Sequence, residues 1–269
     1  MSEQRVDLTR DGAVATVTLS NPPRHTLTAR GVQELAAVLG ALEGDPALRV
    51  VVLTGGGAGV FVAHYEVGEL ADAAERQSGG GRARGRGEIR LHPFHEVCLR
   101  LEALPAVTVA ALNGNAAGGG LELAMACDFR LAADGPYRFG LPETSVGIIP
   151  GAGGTQRMAR LLGAARALDL ILHAKLLEPG EALALGLVHR VFAEAAFPEE
   201  VDAFVHDLAA RAPVALRAAK RAIRGGAELP LREGLALEQA AFEETLGTKD
   251  AAGAMRAALR GEPWAWTGE

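Results

Sequence analysis

"AVTVAALNGNAAGGGLELAMACDFRLAAD" (residues 106–134) decides how the chain is organised. It begins with a continuous apolar run, "AVTVAALNGN", the pattern of a strand buried on both faces. Gly118, Gly119 and Gly120 follow, and the reading turns helical from Gly118 onward. "FRLAAD" then reads as a second, short strand. Strand, glycine loop, helix and strand in that order predict an α/β core with parallel strands. One residue is out of keeping with the stretch. Glu122 stands between Leu121 and Leu123, with Ala124, Met125, Ala126 and Cys127 after it. A carboxylate buried there without partners is costly, so its presence needs a reason.

The pattern extends to either side. "GAVATVTLSNPP" reads as a strand stopped by Asn21-Pro22-Pro23. From Thr28 to Leu42, apolar residues recur at helical spacing (Val32, Leu35, Ala36, Val38, Leu39 and Leu42), and Gly44-Asp45-Pro46 ends that helix. "LRVVVLTGGG" is a further strand of the fully buried kind. After Pro150 the chain is alanine-rich and mostly helical, over residues 164–173, 180–185, 199–210, 214–223, 231–246 and 250–259. The 269 residues suffice for one large α/β domain or a core with a smaller appendage. "SGGGRARGRGEIR" (residues 78–90) is a low-complexity insert, expected to be a mobile surface loop or, alternatively, a flap that touches an anionic ligand.

Composition removes several function classes. Against 27 lysines and arginines stand 33 acidic residues, a formal net charge of −6, which argues against whole-protein attraction to nucleic acid or an anionic membrane. No apolar run approaches the roughly 18 residues that span a bilayer. "MSEQRVDLTRDG" lacks the apolar stretch of a signal peptide. Cys98 and Cys127 form no CxxC pair and fit a reducing compartment. A soluble cytoplasmic protein without nucleic-acid or membrane partners is expected. Lys175, Lys220 and Lys249 are the only lysines, which disfavours Schiff-base chemistry.

Familiar catalytic signatures are missing too. "LTGGGAGVF" fails the GxGxxG spacing, and neither GxxxxGK[ST] nor GxSxG occurs. His92 and His95 are three apart but lack further ligands at metal spacing, so no metal is expected. What remains is Glu122 together with "FGLPETSVGIIPGAGGTQR" (residues 139–157), which carries Glu143 just after Pro142. Two carboxylates in different surroundings can divide acid and base roles near neutral pH. Gly118–Gly120 lie where a loop enters a helix, where orphan amides can approach a ligand oxygen and stabilise an oxyanion. Each feature has a plainer reading alone, a tight turn or a charge complementing the helix dipole. A second glutamate in a similar setting tips the balance toward chemistry.

"PAVTVAALNGNAAGGGLELAMACDFRLAA" followed by "FGLPETSVGIIPGAGGTQRMARLLG" resembles the enoyl-CoA hydratase/isomerase (crotonase) family. "GEALALGLVHRVF" is similar to a later family pattern, and "RHTLT" after "NPP" to its CoA-contacting turn. The resemblance runs from Val6 to Trp266. It implies a crotonase fold, a ClpP-like spiral of ββα units, over residues 1–195. Residues 196–269 would form a helical region involved in trimerisation and the CoA site. It also implies a homotrimer or homohexamer, an acyl-CoA thioester as substrate, and no cofactor beyond the coenzyme A carried by that substrate. By the same resemblance, Glu122 and Glu143 are the catalytic pair, and the amides of Tyr65 and Gly119 form the oxyanion hole. Arg24, His25, Ala63, His64 and Gly151 contact substrate, Gly151 keeping room beside Glu143. Arg256 and Arg260 are further candidates for CoA phosphates. Isomerases of the family commonly keep only the second glutamate, so having both implies reversible hydration of a 2-enoyl-CoA. Double-bond isomerisation is the alternative within the enzymes, and a catalytically silent CoA-ester-binding protein the alternative outside them.

One segment departs from the family pattern. Where a small residue, glycine, any residue and aspartate are usual, this chain has Ala63-His64-Tyr65-Glu66. If the family glycine uses a positive φ, His64 would be strained there. The bulky pair could also reshape the acyl pocket toward a branched, hydroxylated or carboxylated acyl group.

Overall fold

The structure, a computed structural model, describes residues 4–78 and 90–269. Strands β1 (Arg5–Asp11) and β2 (Val14–Ser20) form an antiparallel hairpin, and helix α1 (Ala29–Leu42) follows. The Thr28 hydroxyl caps α1 by accepting from the Gly31 amide at 3.1 Å. Val32, Leu35, Leu39 and Leu42 make its buried face, at the spacing seen in the sequence.

The chain then alternates between two sheets. Strand β3 (Val50–Gly55) joins β2 in the large sheet, and β4 (Gly59–Val62) starts a small one. After α2 (Val67–Ser78) and α3 (Pro93–Ala103), β5 (Val107–Leu112) pairs with β3, and β6 (Gly114–Ala117) with β4. After α4 (Gly119–Ala126), β7 (Phe129–Asp134) pairs with β5, and β8 (Phe139–Gly140) with β6. All these pairings are parallel. Each turn thus adds one strand to each sheet and then a helix, the ββα spiral that the resemblance implied. Every residue of β5 is buried, as its unbroken apolar run predicts for a strand covered on both faces.

The later part contains α5 (Gly154–Leu162), α6 (Ala164–Leu172), β9 (Leu176–Leu177), α7 (Pro179–Leu185) and β10 (Arg190–Ala193). It ends in α8 (Phe197–Ala209), α9 (Pro213–Gly226), α10 (Leu231–Leu246) and α11 (Lys249–Arg260). The expected helices are all present, with ends shifted by up to three residues. The region after residue 195 starts against the core: α8 packs on β2, β3, β7 and β10. Arg49 donates from β3's approach to the Ala209 carbonyl at 2.6 Å. The 78–90 insert, read as a loop or flap, lies outside the described residues over 79–89. Among the described residues no helix is long and apolar enough to cross a membrane.

Strand β1 and helices α2 and α3 are among the elements not legible in the sequence, as are the short strands β4, β8, β9 and β10. Strand β1 carries six exposed positions out of seven and sits at the sheet edge, where charged side chains discourage further pairing. Helix α2 has no buried residue, so no apolar stripe announces it. Helix α3 holds His92 as its N-cap, with Nδ1 accepting from the Phe94 amide at 3.2 Å, and Pro93 at its first position.

Candidate active site

Glu122 sits in the first turn of α4, a helix with every residue buried. The residue is 2% exposed, and its carboxyl is not left unpartnered. Its Oε1 accepts from the amides of Ala152 and Gly154, both at 2.7 Å, from the turn that opens α5. Burial raises its pKa, while those amides, the Gly151 amide and the Arg157 charge pull the other way. The "PGAGG" turn therefore serves Glu122 as a cradle, where the sequence had suggested only room beside Glu143. Gly151 does border open space: nothing lies within 4 Å of where its Cβ would be.

Glu143 opens a short 3-10 turn, Glu143–Val146, and its setting is the opposite. Its Oε2 is buried without a hydrogen-bond partner. Burial pushes its pKa up to about 7, with the nearby Glu122 adding to the rise. The two carboxyls line one cavity of about 630 Å³, which also takes in His64, Tyr65, Gly119 and Gly151.

The three glycines before Glu122 do separate jobs. Gly118 has φ 50°, a conformation that disfavours side chains, and a Cβ there would come 2.9 Å from Glu143 Oε1. Its amide is already used, donating to Gly140 O at 2.9 Å. Gly120 lies so close to β4 that a Cβ would be 2.1 Å from the Val62 carbonyl oxygen. Only Gly119 is left with the role foreseen for the run. Its Cβ position is 3.4 Å from the Tyr65 nitrogen, so the two peptides are neighbours at the cavity. Neither of these two N–H groups donates to a protein acceptor among the described residues.

The segment around Tyr65 is fixed mainly through its backbone. Ala63 N donates to His25 O at 3.0 Å, Leu27 N to His64 O at 2.9 Å, and Glu66 N to Leu27 O at 2.8 Å. Glu66 adds a side-chain tie by accepting from the Thr26 hydroxyl at 2.8 Å. The positive φ falls on His25, at 53°, and not on His64, so the strain foreseen at His64 is absent. Instead His64 Nδ1 lies 2.7 Å from the Tyr65 carbonyl oxygen.

Arg24, His25 and Ala63 do not line the cavity. Arg24 is exposed, and the His25 ring lies against the Gly57 backbone. Arg256 and Arg260 are exposed on α11, Arg260 paired with Glu262 at 2.7 Å. Sequence reasoning missed the far wall altogether. His92 and Phe94 face Tyr65 there, at ring-centroid distances of 6.3 and 6.1 Å. Glu69 also lies on this wall, accepting from the Ala29 amide at 2.8 Å. Burial and Glu69 together raise the Tyr65 phenol pKa. Glu69 belongs to the helix that no pattern revealed, so nothing in the sequence pointed to it. Among the described residues no cluster of three or more acidic, His or Cys side chains is arranged for a metal.

A parallel ββα spiral that presents two carboxyls and two unengaged amides to one cavity defines an enzyme of the crotonase type. The sequence model of the enoyl-CoA hydratase/isomerase family matches residues 9–268, and the chain belongs to that family. The short-chain-enoyl-CoA hydratase of Clostridium acetobutylicum is 37% identical over 258 residues, covering 96% of this chain and 95% of that protein. The mitochondrial methylglutaconyl-CoA hydratase of Rattus norvegicus is 36% identical over 232 residues, covering 84% of this chain and 70% of that protein. The crystal structure of an enoyl-CoA hydratase from Bacillus anthracis superposes with a TM-score of 0.88 at 32% identity, covering 99% of this chain and 100% of that one.

Proposed function

We propose that the protein catalyses the reversible hydration of a 2-enoyl-CoA to a 3-hydroxyacyl-CoA. The observation that carries this reading is the contrast between two carboxyls in one cavity. Glu122 accepts two amide hydrogen bonds that favour its anion, whereas Glu143 has a buried oxygen with none. In hydration, Glu122 is the base: it takes a proton from water as the water oxygen bonds to Cβ. Electrons move from the double bond onto the thioester oxygen, where the Tyr65 and Gly119 amides stabilise the enolate. Glu143 is the acid and delivers its proton to Cα as the enolate collapses. One such amide donor is typically worth about 3 kcal/mol of transition-state stabilisation. The pair then exchanges its proton through water, so no net proton is consumed.

The cavity wall suggests the acyl class. Val67 and Leu70 from α2, with Val146, Ile148 and Ile149, present exposed apolar surface to it. Glu69 and Asp72 lie on the same wall against one guanidinium, Arg76. This supports an uncharged apolar acyl chain over a carboxylated one. Arg24 and His25, beside the Ala63–Glu66 segment, are assigned to the CoA moiety. Self-association as a homotrimer or homohexamer is part of the same reading, supported by exposed apolar side chains on the last helices (Ile223, Leu231, Phe242, Leu246 and Leu259). Sedimentation of a monomer alone at micromolar concentration would remove that part.

Hydration of crotonyl-CoA and longer enoyl-CoAs, with product identification, tests the reading. Glu122→Gln and Glu143→Gln should each abolish most turnover. Loss confined to Glu143→Gln would point to isomerase chemistry. CoA-ester binding without any turnover would point to a silent member of the family.

A further inference from the structure

Arg157, on α5, is not among the groups assigned to substrate, yet its side chain is only 13% exposed. It is held at both ends. Its Nε and Nη2 reach the two oxygens of Glu102, on α3, at 2.8 and 2.9 Å, the two-pronged geometry of a strong guanidinium–carboxylate pair. Its Nη1 donates to the Ala152 carbonyl oxygen at 2.8 Å. Ala152 is also the residue whose amide donates to Glu122. The guanidinium runs along the turn itself: a Cβ on Gly153 would lie 2.1 Å from Nη1. Behind it the pair continues into α9. Arg224 Nη1 is 3.5 Å from Glu102, and Arg224 Nε donates to Asp128 at 2.7 Å, where Lys220 also sits at 2.7 Å.

We infer that Arg157, clamped by Glu102, is a positioning residue that holds the 151–154 turn against Glu122 and supplies the positive charge facing that carboxyl. The inference rests on the hydratase reading for its catalytic consequence. Among the described residues, three titratable or charged groups surround Glu122: Arg157 from α5, Cys98 from α3, and Glu143 from the 3-10 turn. Glu102 acts through Arg157. Arg157 is the one cation in this set, and removing it makes the Glu122 anion harder to form.

The test compares wild type, Arg157→Gln, Arg157→Lys, Glu102→Gln and Glu122→Gln, with the double variant Arg157→Gln/Glu122→Gln. Crotonyl-CoA hydration is measured across pH. Arg157→Gln should lower kcat roughly 10- to 100-fold, as expected for a misplaced catalytic group, with KM nearly unchanged. Its acid limb should move to higher pH. Arg157→Lys, which keeps the charge, should restore the limb but only part of kcat. Glu102→Gln should give a smaller loss of kcat in the same direction, and it serves if Arg157→Gln does not fold. In the Glu122→Gln background the Arg157 change should add almost no further loss, because its effect passes through Glu122. A 13C titration of the Glu122 carboxyl, without substrate, should move upward in Arg157→Gln. An unchanged titration, a wild-type kcat in Arg157→Gln or Glu102→Gln, or multiplying losses in the double variant overturns the inference. An inactive wild type with the titration moved as expected overturns the hydratase reading and leaves Arg157 in its role.

Discussion

Glu143→Gln should stabilise the protein while disabling it, and only above a certain pH. Burial lifts the Glu143 carboxyl from the ordinary 4.5 to about 7. One of its oxygens has no hydrogen-bond partner to favour the anion. The folded chain therefore binds this proton more tightly than the unfolded chain does. Between those two pKa values stability falls as pH rises; the cost is absent below 4.5 and fully present above about 7. A rise of this size corresponds to about 3 kcal/mol between the two protonation states. Glu143 is only partly buried, and solvent screening brings the realised cost down to about 1–2 kcal/mol. The assay is urea unfolding of wild type and Glu143→Gln at about pH 5 and about pH 8, read as the difference between the two proteins. The variant should gain about 1–2 kcal/mol more at the higher pH. A difference that is the same at both pH values, or larger at the lower one, refutes the claim that an uncompensated carboxylate is kept in this cavity.

Three further outcomes follow from the same geometry. In the proposed mechanism the active form carries one proton on the carboxyl pair, so kcat/KM should fall about tenfold per pH unit above about pH 7. The profile should be the same for hydration and dehydration, because no net proton is exchanged; a flat profile up to about pH 9 contradicts the role of Glu143. Tyr65→Phe removes the phenol near Glu69 but keeps the peptide N–H, so most of kcat on crotonyl-CoA should survive; a collapse in kcat would mean that the phenol takes part. Crotonyl- and hexenoyl-CoA should exceed 3-methylglutaconyl-CoA in kcat/KM by about tenfold or more, since Glu69 and Asp72 line the cavity proposed to take the acyl chain; the opposite order in a competitive assay would reassign the substrate class.

The sequence revealed elements that carry their own burial signature. The apolar runs of β3 and β5 and the periodic face of α1 announce themselves because tertiary contacts act on every residue or at a fixed spacing. Helix α2 lacks such a signature: it lies over the cavity with no buried side chain, so its existence depends on what it covers. The candidate site divides in the same way. Glu122 stood out because a charge in an apolar run is anomalous at the level of composition. The partners that make it tolerable, the amides of Ala152 and Gly154, carry no side-chain signal at all. Backbone donors can be foreseen where glycine marks a turn, but which carboxyl they will reach is decided by packing between segments 30 residues apart.

The Ala63–Glu66 segment explains how a chain can change most of a motif and keep its geometry. A main-chain oxyanion donor requires a fixed peptide plane and nothing of its own side chain. Here that plane is set by three backbone hydrogen bonds to the 25–27 strand-like turn, and none of them depends on residue type. The positive φ that the turn needs is carried by His25 on the opposite side of the pairing. His64, where the resemblance leads one to expect a glycine, therefore sits without strain. Glu66, one methylene longer than aspartate, still reaches the Thr26 hydroxyl at 2.8 Å and the Gly68 amide at 3.3 Å. The freedom gained at Tyr65 is spent on the cavity wall, where its ring meets His92 and Phe94. What fixes this half of the cavity is thus a pattern of peptide contacts, and the side chains upon it are free to shape the cavity wall.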